Sequence, residues 1–136
     1  MKDAVYLLSS ILNPDKTYTG QSSRCVYVRL AEHNRGQTSY TKRLRPLRLV
    51  VSVWGFNSKA AAMRFEKLWK RRSRGGLVAH LEALVRLVRS RNDLHIISHV
   101  NVSGINYEKE IDVAQAHMWI EAEAGKLMEA QGFFEV

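Results

Sequence analysis

Short apolar runs rich in strand-forming residues mark four places along the chain. They cover residues 4–9 (AVYLLS), 17–20 (TYTG), 47–56 (LRLVVSVWGF) and 94–100 (LHIISHV). Asn13-Pro14-Asp15-Lys16, between the first two runs, is typical of a turn, so residues 4–20 are predicted to form an antiparallel hairpin. The run at 47–56 is the most hydrophobic and is predicted to be a central strand.

Between these runs, apolar residues recur at helical spacing. Helices are predicted from about Ser22 or Ser23 to His33, over residues 59–72 after Asn57 or Ser58, and over residues 77–89 after a Gly-Gly break. A fourth is predicted over residues 107–131 and is expected to stop at Gly132. Its narrow apolar seam consists of Val113, Ala116, Ile120, Ala124 and Leu127.

This order of elements predicts an α/β (α+β) protein with a small, mostly antiparallel sheet flanked by helices, plus a C-terminal acidic helix. Residues 1–100 are expected to form one domain, with residues 101–136 as a helical extension packed on it. The extension could instead cover the basic surface and inhibit it, or its seam could form a homodimer. Packing on the domain's own core is the favoured expectation.

The charge is distributed unevenly. The chain carries a net charge of +8, but residues 1–100 hold 19 Lys and Arg against 6 Asp and Glu, and residues 101–136 hold 2 against 7. A balance of +13 in the first part suggests a polyanionic partner, although surplus Lys and Arg can also serve solubility alone. The single cysteine, Cys25, is expected to be buried and inert, and it excludes a thiolate-rich zinc site.

Arg29 and His33, in the segment RLAEHN, are the first candidates for chemistry. Their spacing of four places both side chains on one face of a helix. Two potential cations are a poor structural pair, but they suit a phosphate, because Arg donates a permanent charged fork and His can move a proton near neutral pH. Gly20 marks a backbone position where a side chain would obstruct something.

These elements together resemble the GIY-YIG nuclease domain. The two family triplets correspond to Ala4-Val5-Tyr6 and Tyr18-Thr19-Gly20, and the family's Arg-x-x-x-His helix to Arg29 and His33. Residues 54–59 (WGFNSK) and 62–69 (AMRFEKLW) are similar to the nuclease subunit of eukaryotic structure-specific, junction-cutting endonucleases. That subunit usually continues into a cysteine-rich, RING-like zinc domain, which one cysteine cannot build.

The resemblance implies a phosphodiester hydrolase with five catalytic residues. Glu66 would hold one divalent cation, Mg²⁺ or Mn²⁺, that stabilises the leaving oxygen. Tyr6 or Tyr18 would accept the proton of the attacking water, which is expected to require a phenol pKa lowered by positive charge, with Lys42 a candidate. Arg29 would clamp the phosphate, and His33 would bind it or relay the proton. Alone, each residue has a plainer interpretation: strand packing for the tyrosines and an ion pair with Lys70 for Glu66.

A larger set of residues is expected to contact DNA. Tyr40 could stack on an unpaired base or pack back on the domain. No helix presents base-reading side chains, so recognition of shape is expected rather than of sequence. The predicted contacts are Gly20, Arg35, Tyr40, Lys42, Arg43, Arg45, Lys70 and Arg71, with Arg48, Lys67, Arg72 and Arg74 as further candidates.

The favoured function is therefore a metal-dependent endonuclease acting on flaps, forks or four-way junctions in double-stranded DNA, leaving 5′-phosphate and 3′-hydroxyl ends as the family implies. The alternatives are a catalytically inactive module that binds branched nucleic acid, and a sequence-specific restriction or homing nuclease. No membrane association is expected, and a scaffold protein or a homodimer is possible. We expect an intracellular protein, nuclear if eukaryotic or viral and cytoplasmic if prokaryotic.

Overall fold

The computed structural model describes residues 3–130, apart from the side chains of Leu127 and Ala130. Its five strands form one antiparallel sheet in the order β2-β1-β3-β4-β5, with β2 at one edge. The strands are β1 (Ala4–Ser10), β2 (Thr17–Ser22), β3 (Leu47–Trp54), β4 (His95–Val102) and β5 (Ile105–Ile111). The predicted hairpin and the mostly antiparallel sheet are confirmed.

Within residues 3–130, five helices flank the sheet. They are α1 (Val26–Asn34), α2 (Ser39–Lys42), α3 (Lys59–Arg72), α4 (Leu77–Val88) and α5 (Val113–Ala130). The bounds of α3 agree with the prediction, and the Ser58 hydroxyl caps its start by accepting a hydrogen bond from the Ala61 N–H at 3.0 Å. The predicted start of α1 at Ser22 or Ser23 was wrong: Cys25 occupies the N-cap position, and the Ser22 hydroxyl instead bonds the backbone of Arg24.

The sheet separates two apolar cores. Successive side chains of β1 point to opposite faces, so Val5 and Leu7 pack with α3, α4 and α5, whereas Tyr6 and Leu8 pack with α1. Phe65 and Trp69 of α3 belong to the first core. Among the described residues, no helix is long and apolar enough to cross a membrane.

The segment after residue 100 differs from the prediction. Residues 105–111 form strand β5, not the start of a helix, and pair with β4 across a two-residue turn at Ser103 and Gly104. Both turn residues have positive φ, 52° and 84°, which a tight hairpin of this kind requires. The sequence INYEKEI alternates apolar and polar residues only at its ends, so its strand period was not recognised. The division after residue 100 stays a prediction.

Helix α5 packs on the domain itself. Ala116 and Ile120 are buried in the core shared by α3 and α4, and the buried carboxylate of Glu123 pairs with Arg48 of β3 at 3.3 Å. Ala116 and Ile120 of the seam thus pack in the chain's own core, and packing of the whole extension on the domain stays a prediction. The Leu127 side chain and Gly132 lie outside the described residues.

A hydrogen-bonded chain fastens α1 to the sheet. Tyr27 of α1 donates to Glu108, and its oxygen lies 2.9 Å from Nδ1 of His99. Nε2 of His99 lies 2.7 Å from the hydroxyl of Ser52, which accepts from the Trp54 indole N–H at 2.7 Å. These bonds link α1 to three strands, and burial lowers the pKa of His99 to about 4.

Acid is therefore expected to weaken the fold before most carboxylates titrate. The pKa of His99 is about 4 in the folded protein and about 6.5 in the unfolded chain. The neutral ring therefore contributes fully to the unfolding free energy above pH 6.5, and this contribution is lost as the pH falls through 4. The unfolding free energy, measured by urea titration, should fall by about 2–3 kcal/mol over that range. His99→Gln should flatten the pH dependence while His33 still titrates. An unchanged pH profile in His99→Gln would contradict this assignment.

Candidate active site

The phenol of Tyr6 forms the floor of the predicted site. Tyr6 lies in β1 and is 1% exposed, yet its hydroxyl must be hydrogen-bonded, because an unpaired polar group is costly in a core. Nε2 of His33, on α1, lies 3.0 Å from that hydroxyl. This bond spans 27 residues and joins the first strand of the chain to the Arg-x-x-x-His helix.

His33 is fully buried and bonded through both ring nitrogens. Its Nδ1 lies 2.7 Å from the hydroxyl of Thr41, which itself donates to the Thr38 carbonyl at 3.4 Å. Thr41 therefore accepts from His33 Nδ1–H, which leaves Nε2 to accept from Tyr6. Burial, with the nearby Arg29 cation, lowers the pKa of His33, so the ring is neutral at pH 7. Of the two roles considered for His33, this geometry fits a proton relay and leaves no ring nitrogen to bind a phosphate directly.

Gly20 makes room for the Tyr6 hydroxyl. It pairs directly with Tyr6 across β1 and β2, and a Cβ at this position would lie 2.6 Å from the Tyr6 oxygen and 2.9 Å from Cε2 of Tyr18. The predicted obstruction is therefore real, and the obstructed group is the candidate catalytic phenol. The space that the Tyr6 phenol needs explains why position 20 is a glycine, without any contact to DNA. Contact between Gly20 and DNA stays a prediction.

Tyr18 stands beside this floor in a more open position. Its ring centre lies 6.5 Å from that of Tyr6, 5.0 Å from that of His33 and 5.8 Å from that of Tyr40. Lys70 Nζ lies 5.5 Å from the centre of the Tyr18 ring. The three tyrosines thus form one aromatic surface that leads from the buried Tyr6 to Tyr40, which is 57% exposed.

The tyrosine pKa values shift opposite to the prediction. Burial raises the pKa of Tyr6 to about 12, although Arg29 acts against this shift. Burial, and then the Glu66 carboxylate, also raise the pKa of Tyr18. Lys42 is exposed on α2 and does not contribute to either shift; it is Lys70 that lies against Tyr18. Both phenols are therefore protonated at neutral pH, and any base function requires an onward acceptor for the proton.

Arg29 is held in place by an acidic residue that the sequence analysis did not single out. The Glu32 carboxylate pairs with Arg29 and accepts two hydrogen bonds of 2.8 Å from Arg24. Hydrogen bonds from Arg24 and then from Arg29 lower the pKa of Glu32 to about 2, so this carboxylate stays charged. The sequence RLAEHN could have indicated this ion pair, because Arg29 and Glu32 are three residues apart on a predicted helix. Arg29 also lies close enough to Tyr6 to act on its pKa.

Glu66 of α3 approaches the same tyrosines from beside the edge strand β2. Its carboxylate raises the pKa of both Tyr6 and Tyr18, and its side chain is 18% exposed. The predicted ion pair with Lys70 is present, with Nζ 3.7 Å from Oε2. Within residues 3–130, no group of three or more His, Cys, Asp or Glu residues could enclose a metal ion. Any metal at Glu66 would depend on one protein carboxylate.

The structure therefore brings together all five predicted catalytic residues, namely Tyr6, Tyr18, Arg29, His33 and Glu66. Thr41, which fixes the tautomer of His33, was missed because no helix was predicted between His33 and the strand that begins at residue 47, where α2 lies. Cys25 is exposed, contrary to the expected burial.

The predicted DNA contacts fall into separate groups. Arg35, Lys42, Arg43 and Arg45 are exposed around α2, where the side chains of Arg45 and Lys42 approach Gly36. Lys70 lies at the site, whereas Arg71 lines a different cleft with Arg72 and Arg74. DNA contact by these residues stays a prediction.

An open cleft of about 520 Å³ adjoins the site. The residues that line it include Tyr18, Tyr40, Lys70, Lys16 and His80. Thr19 also lines this cleft, and its buried hydroxyl has no hydrogen-bond partner among the described residues. The cleft is wide enough for a nucleotide and has cationic and aromatic walls.

Gly20→Ala is expected to destabilise the fold through its clash with Tyr6. The new methyl group needs space that the Tyr6 phenol occupies, so the unfolding free energy should fall by about 2–4 kcal/mol. In a Tyr6→Leu background the loss should be at least about 1 kcal/mol smaller, because the obstructing phenol is gone.

Gly125→Ala provides the matched control. Gly125 lies in helix α5, and a Cβ there meets nothing within 4 Å. The same substitution should therefore stabilise the protein by about 0.5–1 kcal/mol. Urea denaturation measures all three effects, and an equal cost of Gly20→Ala in both backgrounds would contradict the role assigned to the phenol.

Comparison with known proteins agrees with this geometry. Three curated proteins called "Structure-specific endonuclease subunit SLX1" are similar to the chain. Those of Kluyveromyces lactis and Candida glabrata are 38% identical over 95 residues and 35% identical over 100, covering 65% and 69% of this chain. That of Malassezia globosa is 38% identical over 69 residues, or 48% of the chain. The aligned part spans 33%, 31% and 15% of these relatives, a third or less of their length.

The family model that matches is the GIY-YIG catalytic domain, over residues 2–77. That range contains the hairpin, α1 and α3, and with them each of the five residues that converge at the site. The chain belongs to the GIY-YIG family.

Proposed function

We propose that this protein is a metal-dependent DNA endonuclease that cuts branched DNA. The observation that carries the proposal is the convergence of two phenols, one imidazole, one guanidinium and one carboxylate from β1, β2, α1 and α3 at a single place. The similar proteins named structure-specific endonuclease subunits support both the activity and the class of substrate.

Tyr6 is assigned as the group that accepts the proton of the attacking water. A phenol with a pKa of about 12 is not ionised at pH 7, so it can take a proton only while passing its own to another group. Tyr6 has such a group in Nε2 of the neutral His33, at 3.0 Å. The described residues give the Tyr18 hydroxyl no hydrogen-bond partner, so Tyr18 is assigned to orienting the water.

Arg29 is assigned to the scissile phosphate. Glu32 binds one of its terminal nitrogens and fixes the side chain, which leaves the rest of the guanidinium to donate to a non-bridging oxygen. A donor that is already in place where negative charge develops lowers the barrier without reorganising during the reaction.

Glu66 fits the ligand set of one hard divalent cation. Members of this family generally depend on a divalent metal ion. Mg²⁺ commonly binds proteins through one or two carboxylates and keeps several waters, which suits a lone, partly exposed glutamate. When bound, Mg²⁺ or Mn²⁺ would neutralise charge on the leaving 3′-oxygen, and the products would carry 5′-phosphate and 3′-hydroxyl ends. In the structure Lys70 supplies the cation nearest to Glu66, and its 49% exposed side chain has room to move away.

The relatives' name, "subunit", also suggests an assembly. We propose that the protein acts with a scaffold partner, with branched double-stranded DNA as the shared substrate. Copurification of a second protein that raises the cutting rate would support this, and full activity of the isolated chain on every branched substrate would oppose it.

Glu66→Gln is expected to lower the rate of cutting by about 10²–10³-fold or more, because the amide cannot hold the metal as a carboxylate does. Binding of labelled four-way junction DNA in EDTA should change less than about twofold. The matched control is Glu129→Gln, an exposed residue of α5 that should cut normally. Cutting by Glu66→Gln at ordinary Mg²⁺ concentrations would refute the metal assignment. Junction binding by the unaltered chain without cutting in Mg²⁺ would favour an inactive binding module.

Tyr6→Phe and Tyr18→Phe should separate the roles of the two phenols. Tyr6→Phe removes the proton route to His33, so we expect a fall in kcat of about 10²–10⁴-fold. Tyr18→Phe keeps that route, so the factor by which its kcat falls should be less than a tenth of the factor for Tyr6→Phe. Single-turnover cutting of a labelled junction measures both rates, and a larger loss in Tyr18→Phe would reverse the assignment.

A further inference from the structure

Four exposed arginines line a cleft away from the candidate active site. Arg71 and Arg72 at the end of α3, Arg74 in the following loop and Arg86 on α4 surround a space of about 560 Å³, hereafter the arginine groove. In the described part of the chain, none of the four lies within 4.0 Å of a carboxylate oxygen. Four other arginines do form such pairs, namely Arg24, Arg29, Arg48 and Arg91.

The arginines of the groove and Glu66 lie on different faces of α3. Each residue turns the helix by about 100°, so Lys70 lies about 40° from Glu66, whereas Arg71 and Arg72 lie about 140° and 120° from it. Arg72 is also about 9 Å farther along the helix axis than Glu66. The run Lys70-Arg71-Arg72 thus serves two surfaces: Lys70 contacts Tyr18, and the two arginines face the groove.

Two carboxylates lie near these cations. Glu82 of α4 lines the groove, and Glu121 of α5 lies with Arg86 and Arg89 around a neighbouring cleft that also includes His117. Five arginines against two glutamates leave a surplus of three positive charges. The arginines remain available to an anionic partner, and Glu82 is expected to oppose that partner.

The chemistry of the groove favours nucleic acid over an acidic protein. Apart from Ala79, the described residues that line it have charged side chains, and none of them is an aromatic or large apolar anchor of the kind that dominates protein–protein interfaces. Arginine forks match phosphate oxygens, and several arginines in a row match the repeating charge of a backbone.

We propose that the arginine groove binds the phosphate backbone of a second duplex arm while the first arm lies at the active site. The inference rests on the proposed function and adds how a branch is recognised. Tyr6, Tyr18 and Arg29 lie on the face of the sheet covered by α1, whereas the groove lies between α3 and α4, which cover the opposite face. The proposal implies that a straight duplex seated at the site leaves the groove empty, whereas a branched one fills both.

The test compares binding of a three-way junction with binding of a linear duplex of the same total length, in EDTA so that cutting plays no part. For Arg72→Ala/Arg86→Ala, the junction Kd should rise roughly tenfold, and the slope of log K against log salt should fall by about 2, because each phosphate that the protein no longer neutralises lowers it by about 0.9. The Kd for linear duplex should change less than twofold. Glu82→Gln should tighten junction binding about two- to threefold, because it removes the opposing charge.

Two further variants control for net charge and folding. Arg91→Ala/Lys109→Ala removes the same charge from exposed positions outside the groove and should leave the junction preference unchanged. Arg74→Ala alone, in the loop between two helices, should give about a threefold loss and keeps the test valid if the double variant does not fold.

Three results would overturn the proposal. They are an equal loss of binding to junction and linear DNA, an equal loss in the Arg91→Ala/Lys109→Ala control, and unchanged binding by a folded groove variant. Displacement of junction DNA by a glutamate-rich peptide at equal charge concentration, dependent on Arg72 and Arg86, would assign the groove to an acidic protein. None of these experiments measures cutting. If the protein proved inactive, the proposed function would be refuted, but the result on junction binding by the arginine groove would still stand.

Discussion

The Tyr6 hydroxyl is a polar group buried within the sheet, and the site depends on how it is satisfied. A hydroxyl at 1% exposure requires a partner, and the His33 imidazole supplies one at 3.0 Å. That bond fixes the rotation and depth of α1 against β1, and Arg29 and Glu32 lie on the same helix. The absent side chain of Gly20 and the hydroxyl of Thr41 complete the arrangement from either side. A buried polar network that is fully bonded specifies one geometry more sharply than apolar packing does.

The same burial determines the charges at the site. It raises the pKa of both tyrosines and lowers that of His33, so three groups that could titrate are neutral at pH 7. The fixed charges that remain at the centre are Arg29 and Lys70 against Glu32 and Glu66. Transfer of the Tyr6 proton to the neutral His33 alone would leave a phenolate beside an imidazolium, so Tyr6 is expected to take the proton of the water as it passes its own to His33.

Much of the fold could be predicted, and the errors have physical causes. The hairpin, β3, α3 and α4 follow from apolar periods and from turn residues such as Asn13-Pro14 and Gly75-Gly76. Strand β5 was missed because six of its seven residues are exposed, so it lacks the half-buried alternation that reveals a strand. Ser103 and Gly104, which lie between the predicted strand and the predicted helix, form the hairpin turn that brings β5 beside β4.

The residues that converge at the candidate site could be predicted because the resemblance depends on residue type and order. Their electrostatics could not, because the direction of a pKa shift depends on burial, which a strand's sequence alone does not give. The sequence suggested a lowered tyrosine pKa, and the depth of Tyr6 reverses it. Lys42 and Lys70 looked equivalent as charges, yet only Lys70 shares a helix face with Glu66.

Glu32 has a thermodynamic consequence for the way Arg29 meets a substrate. A long, flexible side chain usually loses up to about 2 kcal/mol of rotamer entropy when it is immobilised. Here the ion pair with Glu32, itself anchored by Arg24, immobilises the guanidinium during folding. That entropy is lost once, when the chain folds, and not again at each encounter with a phosphate.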